Sequence, residues 1–154
     1  MSCFRARVVL ATLISTMPLV ESASPVSVKV EAPESNLDPG EESAVRLVVS
    51  VESPWFIYAP TNNNVAHGMV EASIEMRVSD RVQFREAEFP EPSTASGYDV
   101  YSGNVNIIIQ PFRVRTSATP GETVIRGRFE YQACKPDLCL PPERLGLRVR
   151  VNID

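Results

Sequence analysis

Two cysteines, Cys134 and Cys139, are the residues of this sequence best suited to carry out chemistry. The four residues between them contain a Pro-Asp step typical of a turn, so the two sulfurs can come within bonding distance. A disulfide there would close a loop of six residues, worth about 2.2 kcal/mol by chain entropy, against roughly 4 for a bridge across most of a domain. A short bridge on a loop is also accessible to an attacking thiolate. The pair can therefore be a structural hairpin disulfide, a redox-active pair or part of a metal site.

Metal binding and hydrolysis find little support among the remaining residues. A metal ion would need two ligands besides the cysteines, and only His67 and scattered carboxylates are available. His67 lies in a predicted loop, and no nucleophile accompanies it in the way that a Cys/His hydrolase requires. We therefore predict no metal and no cofactor, and a soft-metal carrier stays as a third alternative.

The first 24 residues predict export. Arg5 and Arg7 precede an apolar run at 8–20, which at 13 residues is shorter than the roughly 20 that a membrane span needs. This order is typical of a secretory signal peptide at 1–24, followed by a single domain at 25–154. No second apolar run is long enough to span, so we expect no membrane insertion after cleavage. Processing removes Cys3 and leaves an even pair of cysteines in a compartment where thiols oxidise.

Composition limits the classes of function. The chain has 154 residues, 44% hydrophobic and 22% charged, which fits one globular domain. Fifteen basic residues face 19 acidic ones, for a net charge of −4. Without a basic surplus to neutralise phosphates, we predict no nucleic-acid partner.

The elements that must position the cysteines are β-strands. Apolar and polar residues alternate along the chain, and no helical period follows the leader. The last strand is the clearest case, because apolar side chains at 145, 147, 149, 151 and 153 alternate with polar residues or glycine. Strands are predicted at 26–30, 44–51, 55–58, 70–78, 82–84, 105–114, 123–131 and 145–153. We therefore predict an all-β, immunoglobulin-like sandwich of about seven to nine short strands. Two long loops, 89–98 and 133–142, are where we expect binding or catalysis.

The cysteine segment, FEYQACKPDLCLPPE at 129–143, closely resembles a known signature. A Tyr-Gln-x-Cys motif followed by Cys-x-Pro-Pro is similar to the N-terminal periplasmic domain of the DsbD-type thiol:disulfide interchange reductases. The segments PWFIYAP at 54–60 and DVYSGNV at 99–105 resemble two strands of the same domain. The resemblance runs from about Val26 to the C-terminus.

This resemblance implies an immunoglobulin-like domain whose cysteines form a reversible disulfide. Cys139 would attack or be attacked in the mixed disulfide, and Cys134 would be the resolving thiol. The domain would be periplasmic and monomeric, a protein-disulfide reductase type of relay. It would take electrons from a membrane reductase or thioredoxin-like donor and pass them to periplasmic thioredoxin-fold proteins, some of which serve cytochrome c biogenesis.

Four further residues receive supporting roles from the resemblance. Tyr131 and Gln132 would support the cysteine loop, although packing alone explains strand residues equally well. Tyr98 is the one aromatic residue able to shield the disulfide from the loop 90–99, and Pro141 belongs to the expected interface. The sequence ends at Asp154 with neither a membrane segment nor a thioredoxin-like domain, so we expect a free-standing module. The alternative function is an immunoglobulin-like binding or assembly module whose disulfide only stiffens a recognition loop.

Overall fold

A computed structural model describes residues 23–154, so the predicted signal peptide lies outside the described part of the chain. The prediction of an all-β fold is confirmed, since strands dominate and all sheet pairings are antiparallel. The twelve strands are β1 Val26–Glu31, β2 Glu42–Val51, β3 Phe56–Tyr58, β4 Ser73–Met76, β5 Val82–Phe84, β6 Ser93–Ala95, β7 Tyr98–Tyr101, β8 Gly103–Val114, β9 Gly121–Tyr131, β10 Ala133–Lys135, β11 Leu138–Cys139 and β12 Glu143–Ile153. Within residues 23–154, the one helix, α1 at Asn62–Ala66, has five residues and is neither long nor apolar enough to cross a membrane.

The strands form three sheets around a shared core. One sheet has the order β1-β2-β8-β5, the second β11-β10-β3-β7-β6, and the third β12-β9-β4. Strands β9 and β12 pair along their whole length, from Tyr131 opposite Glu143 to Gly121 opposite Ile153. Alternation directs one face of each sheet inward, and the buried side chains on these inward faces belong to one apolar cluster. Burial of this apolar area is the main stabilising contribution to the fold.

The two predicted loops contain short strands. All eight predicted strands are present, with β4 shorter than expected, and the structure adds β6, β7, β10 and β11. Strands β6 and β7 form a hairpin whose two-residue turn, Ser96-Gly97, has positive φ at both positions, as a type I′ turn requires. Strands of two to four residues show too little alternation to be recognised, which is why the sequence indicated loops here.

Helix α1 is the first element after strand β3. Its first turn is capped by Thr61, whose side chain accepts from the backbone N–H of Asn64. Asn64 is fully buried, and its Nδ2 donates to the carbonyl oxygens of Ala59 at 2.8 Å and Asp99 at 2.6 Å. These bonds hold the helix against β7, which is a central strand of the sheet that carries the cysteines.

Candidate redox site

The cysteines lie directly opposite each other in a small hairpin. Strands β10 and β11 pair with Cys134 opposite Cys139 and Lys135 opposite Leu138, and Pro136-Asp137 forms the two-residue turn. The two sulfurs form a disulfide, and the Cα atoms are 4.1 Å apart. This separation is close to the spacing of about 4.5 Å between directly opposed residues that do not exchange backbone hydrogen bonds. The hairpin therefore brings the sulfurs together by ordinary strand pairing.

The two cysteines differ in their exposure to solvent. Cys134 has no exposed surface, whereas Cys139 is exposed. Strand β11 is the edge of the five-stranded sheet, and β10 is paired on both sides, with β11 and with β3. The sheet therefore covers one sulfur-bearing residue and presents the other to solvent at its edge.

Cys134 belongs to a small apolar cluster that is separate from the main core. The buried members are Tyr58, Val100 and Cys134, against which Phe56, Met69, Ala95 and Tyr98 pack. Strand β3 shows how this arises, because Ile57 joins the main core while its neighbours Phe56 and Tyr58 point to the opposite face. We call these seven residues the outer cluster. The five-stranded sheet thus has apolar side chains on both faces.

Aromatic rings dominate the outer cluster. The ring of Tyr58 contacts those of Phe56 and Tyr98 edge-on, with centroids 5.5 and 5.7 Å apart. The imidazole of His67 in turn lies edge-on to Tyr98, at 5.6 Å. Burial, with a smaller effect of Tyr98, raises the pKa of the Tyr58 hydroxyl above its ordinary value of 10. The outer cluster around Cys134 is therefore largely aromatic.

The hairpin is held at its base by three hydrogen bonds. The Nε2 of Gln132 donates to the carbonyl of Leu140 at 2.9 Å, and the N–H of Leu140 donates to the carbonyl of Ala133 at 2.9 Å. The hydroxyl of Tyr131 donates to Glu143 at 2.9 Å, where the hairpin ends and β12 begins. The predicted supporting residues Tyr131 and Gln132 are thus both found at the base of the cysteine hairpin.

Tyr131 also has a packing role. Its side chain is fully buried in the main core, on the face of the structure away from the outer cluster. Burial raises the pKa of its hydroxyl to about 12, with the hydrogen bonds to Ser24 and Glu143 acting in opposite directions. Pro141, the remaining predicted interface residue, is exposed beside the base of the hairpin.

The cysteine hairpin also carries a basic side chain, that of Lys135. The Nζ of Lys135 is 5.6 Å from the centroid of the Trp55 ring and 4.0 Å from the carboxylate of Asp137. Because residues alternate along β10, Lys135 extends to the opposite face from its neighbour Cys134. The cation–π contact keeps this amine at the hairpin rather than free in solvent.

An open groove adjoins the turn of the cysteine hairpin on the outer face of the sheet. It has a volume of about 510 Å³. Phe56, Ala95 and Val100 of the outer cluster line it, together with Pro54 and with Pro136 from the turn of the cysteine hairpin. No charged side chain of residues 23–154 lines the groove. It offers an uncharged surface that includes Pro136, three residues before the exposed Cys139.

Tyr98 and His67 were the other residues of interest in the sequence. Tyr98 packs in the outer cluster that contains Cys134, and Cys139 stays exposed. His67 caps the end of α1, with its Nδ1 hydrogen-bonded to the carbonyl of Asn63 at 2.8 Å. Among residues 23–154 no group of three or more potential ligands is placed to hold a metal ion.

The sequence did not reveal two parts of the site. Phe56 lies directly opposite Cys134 in the β3–β10 pairing, and Asn64 ties α1 to the sheet. A Thr-x-x-Asn pattern at 61–64 is the capping signal that could have indicated the helix. No local pattern indicates that Phe56 faces a cysteine, because that depends on pairing between strands far apart in sequence.

Comparisons with solved structures give similarities at low sequence identity. No family model and no curated protein matches the sequence. The N-terminal periplasmic domain of ScsB from Proteus mirabilis is similar with a TM-score of 0.49 and 16% identity, over 87% of this chain and 48% of that one. A family 123 glycoside hydrolase from Clostridium perfringens is similar with a TM-score of 0.36 and 11% identity, over 84% of this chain and 27% of that one. The chain spans about half the length of the first structure and about a quarter of the second, and we base the function on the geometry of the disulfide.

Proposed function

We propose that this protein is a thiol–disulfide exchange relay that works through the Cys134–Cys139 disulfide. The observation that carries the proposal is the unequal burial of the two cysteines, with Cys139 exposed at a sheet edge and Cys134 enclosed by the outer cluster. Exchange requires a thiolate to attack one sulfur along the S–S axis, so an accessible sulfur determines where attack occurs. A protected second sulfur then reacts only within the molecule.

Loading the relay takes two displacement steps. A thiolate of the donor attacks Sγ of Cys139, so a mixed disulfide forms and Cys134 leaves as a thiolate. The second thiolate of the donor then attacks the donor sulfur of the mixed disulfide and releases Cys139. The donor becomes oxidised to a disulfide, and Cys134 and Cys139 gain two electrons and two protons from it.

Unloading reverses the roles of the two cysteines. The Cys139 thiolate attacks a disulfide of the acceptor, which forms a mixed disulfide and releases one acceptor thiolate. The Cys134 thiolate then attacks Sγ of Cys139 and releases the second acceptor thiolate. The opposed positions of the two cysteines in the hairpin make this last step intramolecular and favourable. The acceptor leaves as a dithiol, and the Cys134–Cys139 disulfide is restored.

The resemblance of the cysteine segment to DsbD-type periplasmic domains suggests the partners. We propose a membrane reductase or thioredoxin-like donor, and thioredoxin-fold acceptors of the periplasm, including those that prepare cytochrome thiols for haem attachment. The uncharged groove beside Pro136 supports docking of an apolar segment next to the reacting cysteine of such a partner. Docking must be transient, because a relay has to release each product.

A trapping experiment tests the proposal. The probe is a thioredoxin that keeps only its exposed active-site cysteine, activated as a mixed disulfide with thionitrobenzoate. We expect Cys134→Ser to displace thionitrobenzoate and accumulate the inter-protein disulfide, and Cys139→Ser to react at least about tenfold more slowly. Equal rates for the two variants would contradict the assigned roles.

A redox titration with a thiol-alkylating mass tag distinguishes a relay from a binding module. We expect a midpoint above about −300 mV, since structural disulfides lie below that value. A lower midpoint, together with failure of both single variants to capture the probe, would favour the binding or assembly module with a structural disulfide.

A further inference from the structure

The solvent face of the three-stranded sheet is strongly basic in an acidic protein. Its outward positions on β4, β9 and β12, together with Arg77 just beyond β4, carry six arginines and three glutamates, a net charge of +3. Without Arg5, Arg7 and Glu21 of the leader, the chain has 13 basic and 18 acidic residues, a net charge of −5. The surface outside this face therefore has a net charge of −8. We call it the arginine face.

Three arginines of this face are paired with its three glutamates. Arg128 lies 2.5 Å from Glu75 and Arg144 lies 3.0 Å from Glu130. Arg150 lies 4.0 Å from Glu122. The positive charges of these three arginines are thus neutralised by glutamates of the same face.

The other three arginines form a row across the middle of the sheet. Arg126 of β9 is directly opposite Arg148 of β12, and the backbone N–H of Arg77, just beyond β4, donates to the carbonyl of Arg126 at 2.9 Å. All three side chains are exposed, and none lies within ion-pair distance of a carboxylate of residues 23–154. We call these three residues the arginine row. Like charges directly opposite each other destabilise a sheet, so the row lowers the stability of the domain.

We propose that the arginine row is a docking surface for an acidic helical segment of a protein partner. Guanidinium groups bind carboxylates in a bidentate geometry, which favours an acidic peptide as the ligand. Adjacent strands lie about 4.8 Å apart, and carboxylates at i, i+3 or i+4 of a helix lie about 5–6 Å apart. A helix that crosses the three strands can therefore present one carboxylate to each arginine. The carboxylates of the partner neutralise the three arginines, which form no ion pair with a carboxylate of residues 23–154.

The charge distribution favours a protein partner over an anionic membrane. Outside the arginine face the surface is net negative, so a uniformly anionic bilayer would repel most of the molecule. An acidic segment needs only local complementarity, because salt screens charges beyond about 8 Å. Peripheral membrane binding also needs several apolar side chains that insert into the bilayer. Next to the arginine row, Val78 is the exposed large apolar residue among residues 23–154. Arg77 and Arg126 line a groove of about 430 Å³. Asp80 also lines this groove, and the positively charged surface ends at this residue.

Binding of a designed peptide tests the proposal. The probe is a fluorescent helical peptide with glutamates at i, i+4 and i+7, measured by anisotropy at low and physiological salt. Replacing the arginine row by glutamines should weaken binding at least about tenfold and reduce its salt dependence. The matched control is the combination of Arg46→Gln, Arg85→Gln and Arg113→Gln, which removes the same charge from exposed positions of another sheet. This control should bind the peptide almost as well as the parent protein.

Three outcomes would overturn the proposal. The first is equal loss of peptide binding in the row variant and the control, which would mean that the net charge of the protein alone determines its affinity for the peptide. The second is equal binding of a peptide of the same composition whose glutamates are distributed around the helix. The third is row-dependent binding to phosphatidylglycerol vesicles without binding to the peptide. Urea unfolding serves as the folding check, and the row variant should be at least as stable as the parent, because its like-charge contacts are removed.

Discussion

Serine substitutions at the two cysteines should destabilise the domain to different extents. Both variants lose the six-residue disulfide loop, worth about 2 kcal/mol of unfolding free energy. Cys139 is exposed, so a serine hydroxyl there stays hydrated. At Cys134 the hydroxyl is buried among Tyr58, Val100 and the other apolar residues of the outer cluster, which costs a further 1–3 kcal/mol or so. We therefore expect a loss of about 2 kcal/mol for Cys139→Ser and about 3–5 for Cys134→Ser.

Urea unfolding followed by circular dichroism measures this difference. With a slope of about 2 kcal/mol per molar urea, the two midpoints should differ by about 0.5–1.5 M. Cys134→Ala is the matched control, because it lacks the hydroxyl and should recover part of the difference. Reduced parent protein should match Cys139→Ser. Equal midpoints for the two serine variants would refute the inference that the outer cluster encloses Cys134 and leaves Cys139 in solvent.

Three other predictions concern the site and the elements around it. In the reduced protein, iodoacetamide should alkylate Cys139 about tenfold faster than Cys134, and mass spectrometry that finds equal rates would contradict their unequal exposure. Asn64→Ala should cost about 2–3 kcal/mol, because three hydrogen bonds between its side chain and the backbone are lost in a buried site, whereas Asn63→Ala at an exposed position should cost less than about 0.5. Burial raises the pKa of Tyr131 from 10 to about 12, so the stability that its neutral form contributes below pH 10 is lost as the pH rises to about 12. Tyr131→Phe should flatten this alkaline loss in pH-dependent unfolding, and an unchanged profile would refute the assignment.

The long strands could be predicted because they alternate. Strand β12 has buried residues at every second position from Leu147 to Ile153, as the alternation of its sequence predicts. The cysteine hairpin was also identified as the site of interest, since spacing and a turn signal are local properties. What the sequence could not provide is the second buried face of the five-stranded sheet. A three-residue strand such as β3 has no recognisable period, and its position between β10 and β7 is a long-range pairing.

The different environments of the two cysteines could not be predicted from the sequence either. The residues next to Cys134 and Cys139 do not indicate which cysteine is buried, and a hairpin alone would expose both. Strand β10 pairs with β3 on its second side, and this places Cys134 opposite Phe56 and inside the outer cluster. Strand β11 has no second neighbour among the described strands, so Cys139 remains at the edge. The difference between the two residues thus comes from sheet order, which no short motif encodes.

The location of the disulfide is compatible with the repeated reduction that the proposed relay requires. The main core is built from the inward faces of all three sheets and contains neither cysteine. The disulfide closes a loop of six residues, so opening it should cost the fold about 2 kcal/mol, a fraction of the 5–15 kcal/mol typical of a stable domain. The base of the hairpin is held independently by the hydrogen bonds of Gln132 and Tyr131. After reduction the two thiols should therefore stay opposite each other on an intact sheet, which is the condition that the intramolecular closing step of a relay requires.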